Sequence, residues 1–322
     1  MSRSHAVSND PIAEQAAQDH LLSGGSAVGA AVSGFFAAAG AYSGVLLSPM
    51  TILVGGIGSG VRAFDGRLRQ PGLGTKRPRG FTEGEPIPEA ARIAVPTAVT
   101  ACVVALAYDG GQKLRTVLKQ GIARAERCGA EDRVELLRRI AAAGAVAMTE
   151  PAFMRPLLAV AGLTEGGLVT ASDLTTVPVV DHPAAETAEA DGTVFEAPWA
   201  AEPGDPELIA ALELGCSVLA VDPRGVFAAI AYRRVSAGFP IDGLDLEAPL
   251  VAVPVERGVT RVSPGAPLAA PSPLCIRRDA SGALVEVAAL PGAVRLEPGG
   301  MEKATLRLQR DLRTLEVRVP SA

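Results

Sequence analysis

The residues with which this 322-residue chain could do chemistry are four cysteines, three histidines and a few placed charges. Cys102, Cys128, Cys216 and Cys275 are far apart with no CxxC pair, and His5, His20 and His182 are scattered. Zinc sites draw their ligands from close pairs, so no metal is expected, and a disulfide framework suits small secreted chains rather than this one. Cys216 opens the apolar run 216–221, where a cysteine is either a small buried residue or a nucleophile. Arg67 follows the turn signal Asp65-Gly66, which leaves it either solvent-exposed with little core packing or free to clamp a carboxylate with its guanidinium fork. The glycine cluster at 55–60 lacks the Lys-Ser/Thr of a phosphate-binding loop and reads as a packing turn. His182 stands alone in an acidic, proline-rich stretch, and no serine–histidine–aspartate order can be assembled.

The elements that must position these residues change along the chain. Residues 26–40 read as a small-residue helix, 45–54 as an apolar strand and 61–64 as the strand that returns from the glycine turn. Residues 95–108, 114–128 and 133–147 read as helices, with a short capped helix ending near Leu174. Strand signals then dominate: 193–196, 216–221, 225–233, 250–255, 274–278, 284–290, 305–308 and 315–319. Runs 216–221 and 225–233, joined by Asp222-Pro223-Arg224-Gly225, are expected to be adjacent antiparallel strands. Helices first and strands later predict an α+β layered fold.

Composition narrows the function further. Lysine and arginine number 30 against 35 acidic residues, a net charge of -5 with no long basic stretch, which disfavours nucleic acid as a partner. Residues 21–61 carry no charge, but glycine, serine and proline interrupt them, so the stretch is expected to be buried in the protein rather than in a membrane. Residues 1–20 are polar, with Asp10, Glu14 and Asp19, and read as a flexible N-terminus without the apolar core of a secretory signal. A cytoplasmic location is expected.

Taken in order, several segments resemble the gamma-glutamyltransferase family. They are Gly24-Gly25-Ser26-Ala27-Val28-Gly29-Ala30-Ala31-Val32, the run from Gly55 to Gly60, Asp65-Gly66-Arg67-Leu68-Arg69-Gln70-Pro71, Val95-Pro96, and Gly166-Gly167-Leu168-Val169-Thr170-Ala171-Ser172-Asp173-Leu174. The resemblance covers about residues 20 to 292. It implies an N-terminal-nucleophile hydrolase fold, a four-layer αββα sandwich, with residues 21–322 as one domain. Residues 21–215 would correspond to the family's large subunit and 216–322 to its small subunit. The chain is shorter than the family's members, mainly between Trp199 and Gly215.

That family cuts itself before a threonine and uses the freed hydroxyl to attack a gamma-glutamyl amide. Here the aligned run, Gly215-Cys216-Ser217-Val218-Leu219-Ala220-Val221-Asp222, places glycine at the nucleophile. The family's paired serines align with Ala269 and Ala270, and its oxyanion-hole turn with the segment holding Gly292. Arg67 aligns with the residue that clamps the substrate carboxylate, and Glu256 lies about where an acidic residue holds the substrate amine. The resemblance therefore implies a protein without gamma-glutamyl transfer, uncleaved and keeping a pocket for a small amino-acid or carboxylate ligand, with no cofactor. The alternative is an enzyme of altered chemistry on an amide or C–C bond, with Cys216 freed by cleavage after Gly215.

Overall fold

A computed structural model describes residues 4–58, 60–76, 78, 80–200, 202, 214–235, 237–270, 272–290, 304–310 and 315–318. The first half supplies β1 (His5–Ser8), α1 (Pro11–Leu22), α2 (Ala27–Ala41), β2 (Met50–Ile57), β3 (Gly60–Gly66), α3 (Ala98–Tyr108), α4 (Leu114–Val117), α5 (Lys119–Arg127), α6 (Glu131–Ala143), α7 (Pro151–Ala161) and α8 (Ala171–Thr175). Strands follow: β4 (Asp181–Pro183), β5 (Ala185–Glu189), β6 (Gly192–Glu196), β7 (Leu214–Val221), β8 (Phe227–Arg234), β9 (Phe239–Ile241), β10 (Leu246–Ala248), β11 (Leu274–Asp279), β12 (Leu284–Ala289), β13 (Leu306–Arg310) and β14 (Leu315–Arg318).

Two antiparallel six-stranded sheets face each other, ordered β1-β7-β8-β2-β3-β4 and β14-β13-β12-β11-β6-β5. The period-two alternation of β7 shows why. Val218 and Ala220 turn to the helices, while Leu219 and Val221 turn to the second sheet, where they meet Phe195, Ile276 and Val287. α1, α2 and α3 cover the free face of the first sheet, giving the helix and two sheet layers of an α+β sandwich. On the far face of the second sheet the buried cluster is Val194, Cys275, Ala288 and Ala304, none of them helical. Both sheets contain strands from before and after Gly215, so the two parts of the chain interleave.

The uncharged stretch 21–61 is resolved by this packing. Ser26 caps α2 by accepting the Gly29 N–H at 3.0 Å, and every residue from Ala27 to Gly40 is buried because alanine and glycine let neighbours approach on all sides. Among the described residues no helix is long and apolar enough to cross a membrane. β2 then runs into β3 through the glycine turn, where Gly58 has φ +66°.

Three expectations are corrected. Residues 1–20, expected to be flexible, hold β1 and most of α1: β1 pairs with β7, and Asp10 caps α1 by accepting from Ile12 N–H at 2.9 Å. Residues 45–48 form a turn, and the strand begins at Met50, just after Pro49. Residues 250–255 form no strand, because the Gln70 carboxamide takes the place of a ladder neighbour: its Nε2 donates to Val253 O at 2.7 Å and its Oε1 accepts from Val253 N at 3.0 Å. The expected pairing of 216–221 with 225–233 is present as β7 against β8.

Candidate functional site

The head of β7 is held from both sides. Across one edge Gly215 pairs with Arg233 and Cys216 with Tyr232. Across the other, where β1 has ended, the Asn9 side chain continues the ladder: its Nδ2 donates to Gly215 O at 2.9 Å and its Oδ1 accepts from Ser217 N at 2.8 Å. Cys216 is buried beside Tyr232, whose hydroxyl donates to Asp10 Oδ2 at 3.0 Å. Burial first, and the Asp10 charge second, push the Cys216 thiol up to about 11. The void at this point, lined by Pro49, Met50, Gly215, Cys216 and Ala270 among others, is about 10 Å³, room for one water at most. Ala270, where the family resemblance calls for a serine, does reach this place. Gly292 lies outside the described residues.

The arginines lie elsewhere. Asp65, Arg67 and Arg69 alternate along extended chain and so share one face. Arg67 is buried, not exposed, and its fork is already taken: Nε meets Asp65 Oδ1 at 3.0 Å, Nη2 meets Asp65 Oδ2 at 3.1 Å and Nη1 meets Glu202 Oε2 at 2.6 Å. Trp199 lies 4.6 Å below the guanidinium, and Thr97 Oγ1 donates to the Arg67 carbonyl at 2.6 Å. Arg69 Nη2 shares Asp65 Oδ2 at 2.9 Å, while its Nε is buried without a hydrogen-bond partner. Burial depresses the Arg69 pKa, opposed by Asp65 and reinforced by Arg67, though a guanidinium keeps its charge. Its backbone is fixed by reciprocal bonds with Val95, at 2.9 and 3.0 Å.

These residues open on a cavity of about 540 Å³, lined also by Val95, Pro96, Met148, Phe153, Leu174 and His182. His182 is half-buried and edge-on to Trp199 with ring centroids 5.7 Å apart, rather than alone in an exposed loop. Glu256 is exposed, bridged to Phe81, and lines none of this cavity. The structure therefore places Arg67 at a pocket but keeps Glu256 and Cys216 apart from it. Sequence reasoning passed over Arg69, Asp173, Trp199 and Asn9. The alternation Asp-x-Arg-x-Arg was the available signal for the first. Among the described residues no three His, Cys, Asp or Glu side chains could hold a metal.

No protein-family model matches the chain, and no curated protein matches its sequence. Solved structures do match in shape. LmbA2991 superposes with a TM-score of 0.61 at 17% identity, covering 90% of this chain and 78% of that one. Cephalosporin acylase from Bacillus halodurans gives 0.65 at 12%, covering 88% and 76%. Gamma-glutamyltranspeptidase from Pseudomonas nitroreducens, complexed with L-DON, gives 0.50 at 20%, covering 63% and 72%. At these identities the likeness carries the fold, which is that of the N-terminal-nucleophile hydrolases.

Proposed function

From the fold that this chain shares with gamma-glutamyltranspeptidase and cephalosporin acylase, we propose a protein that stays uncleaved, performs no gamma-glutamyl transfer and keeps a pocket for a small carboxylate ligand beside Arg67 and Arg69. The observation that carries this reading is the head of β7. Nucleophilic amide chemistry needs an activated hydroxyl or thiolate with room for a substrate. Gly215 has no side chain, the neighbouring Cys216 thiol is held protonated at neutral pH, and the void beside them holds about 10 Å³. Loss of the serine hydroxyls at Ala269 and Ala270 points the same way.

One observation favours the second reading, a Cys216 enzyme. Asn9 Nδ2 donates to the Gly215 carbonyl, the group that Cys216 would attack if the chain cut itself, and a donor placed there would steady the developing oxyanion. Intact-mass measurement separates the two. The first reading gives one species near 32.9 kDa after prolonged incubation and no anilide release from a chromogenic gamma-glutamyl substrate. A break between Gly215 and Cys216 that disappears in Cys216→Ala supports the second and rejects the first.

A further inference from the structure

Arg67 and Arg69 are balanced by carboxylates, but Arg233 is not. It is buried near the end of β8, opposite Gly215 of β7, and strand alternation turns it, like Ala229 and Ala231, toward the second sheet. Among the described residues it makes no ion pair or hydrogen bond, and the one group whose charge would favour its cation is the Cys216 thiol. That thiol is protonated at neutral pH, so it supplies no countercharge. The carboxylate nearest to Cys216 in effect, Asp10, is spent on Ile12 N, Ala13 N and the Tyr232 hydroxyl, and Arg234 adds a second cation, stacked on Tyr42. A buried charge without a partner is costly, and Arg233 therefore calls for an anion that the chain does not provide.

Two hydroxyls beside it also lack partners. Ser217 Oγ and Ser272 Oγ are buried with no hydrogen bond. Ser217 pairs with Ala231 as Gly215 pairs with Arg233, so Ser217 lies diagonal to Arg233 on one face, within reach of a long side chain. Ser272 alternates with Leu274 and Ile276, which face the first sheet, and its neighbour Pro273 shares with Arg233 the wall of the void of about 10 Å³ at the head of β7. A cation and two unused hydroxyl donors around one point match an acceptor that carries negative charge. A void of this size excludes carboxylate, phosphate and sulfate, and leaves a single-atom anion little larger than water.

We propose that the head of β7 binds a halide ion, chloride where that is the abundant halide, which accepts from the Arg233 guanidinium and from the hydroxyls of Ser217 and Ser272. The ion joins the two sheets, since Arg233 and Ser217 belong to the first and Ser272 leads into β11 of the second. This site shares no residue with the pocket beside Arg67 and does not rest on that reading.

The test is urea unfolding of the full chain over matched series of sodium chloride and sodium gluconate at equal ionic strength, gluconate being far too large for the void. If chloride binds the folded state alone, the folded-to-unfolded ratio rises about tenfold for each tenfold increase in chloride above its dissociation constant, and gluconate brings no such rise. Arg233→Met should abolish the difference between the salts and, having shed an unpaired buried charge, should be more stable than the unaltered protein in gluconate. Ser217→Ala, which removes only an unused hydroxyl, should keep the fold and weaken the chloride response several-fold. Crystals soaked in bromide should show an anomalous peak beside Arg233. An equal response to chloride and gluconate overturns the proposal and leaves water as the partner of the two hydroxyls. So does a chloride response of unchanged size in Arg233→Met, or bromide peaks that avoid Arg233; if that variant does not fold, Ser217→Ala and the bromide peak decide.

Discussion

Of the four thiols only Cys128 is exposed; Cys102, Cys216 and Cys275 are buried. Burial also raises the Cys102 pKa, so neither it nor Cys216 offers thiolate at ordinary pH. Ellman's reagent at pH 8 should therefore titrate one thiol in the native protein and four in denaturant. A second fast thiol traced to Cys216 would reopen its claim to chemistry. Arg67 is the other residue whose setting inverts its expected behaviour. Beside a turn and exposed, it could be truncated at little cost; buried on Asp65 and Trp199, it cannot. Breaking a buried pair strands the remaining charge, and since Arg69 still holds Asp65, Arg67→Ala should cost about 3 kcal/mol, the low end for such losses. Urea unfolding measures it, and a loss below about 1 kcal/mol would mean that the pair contributes little in solution.

At the scale of elements, the small-residue composition of α2 sets how closely helices cross. Gly40 and Gly121 stand where α2 meets α5, and a Cβ on Gly121 would overlap the Phe36 carbonyl, while one on Gly40 would overlap Gly121 itself. Backbone cannot rotate aside as a side chain can. Gly121→Ala should therefore destabilise by about 3 kcal/mol even though alanine favours helix, since overpacking a crossing outweighs a propensity gain of about 1 kcal/mol. A more stable Gly121→Ala variant in urea would show that the helices separate freely. Asn9 makes a related point about strands: one carboxamide substitutes for a residue of β1 and fixes the strand that carries Gly215.

For the whole molecule, pH should act through histidine. Burial lowers the His20 pKa from 6.5, outweighing the raising effects of the Gln112 hydrogen bond and of Asp109, and His5 shifts the same way. The folded protein then resists a proton that the unfolded chain takes up near 6.5. This contribution to stability is complete above that value and is lost as pH falls through the lower folded-state values. The Asp279 carboxyl, also depressed, withdraws its share only below about its ordinary 3.8. The urea midpoint should thus fall between pH 7.5 and pH 5, and the fall should shrink in His20→Gln. A midpoint unchanged over that interval would assign no role to the buried imidazole.

The α+β class, with helices before strands, was readable from the amino-acid order alone. Period-two and helical patterns do not depend on distant partners, so α2, the glycine turn and the pairing of β7 with β8 were legible, and a glycine at position 215 lacks a hydroxyl in any fold. Strands such as β1 and β4 were too short and polar to declare themselves, because what makes them strands is the edge of β7 or β3 beside them. What the charges do follows from packing between remote segments. Glu202 lies 135 residues from Arg67 and Asp10 lies 222 from Tyr232, and no local spacing predicts such contacts. Whether an arginine is a free fork or a spent one, and whether a cysteine is a thiolate or a sealed thiol, depends on burial and neighbouring charge, which exist only once remote segments have packed together.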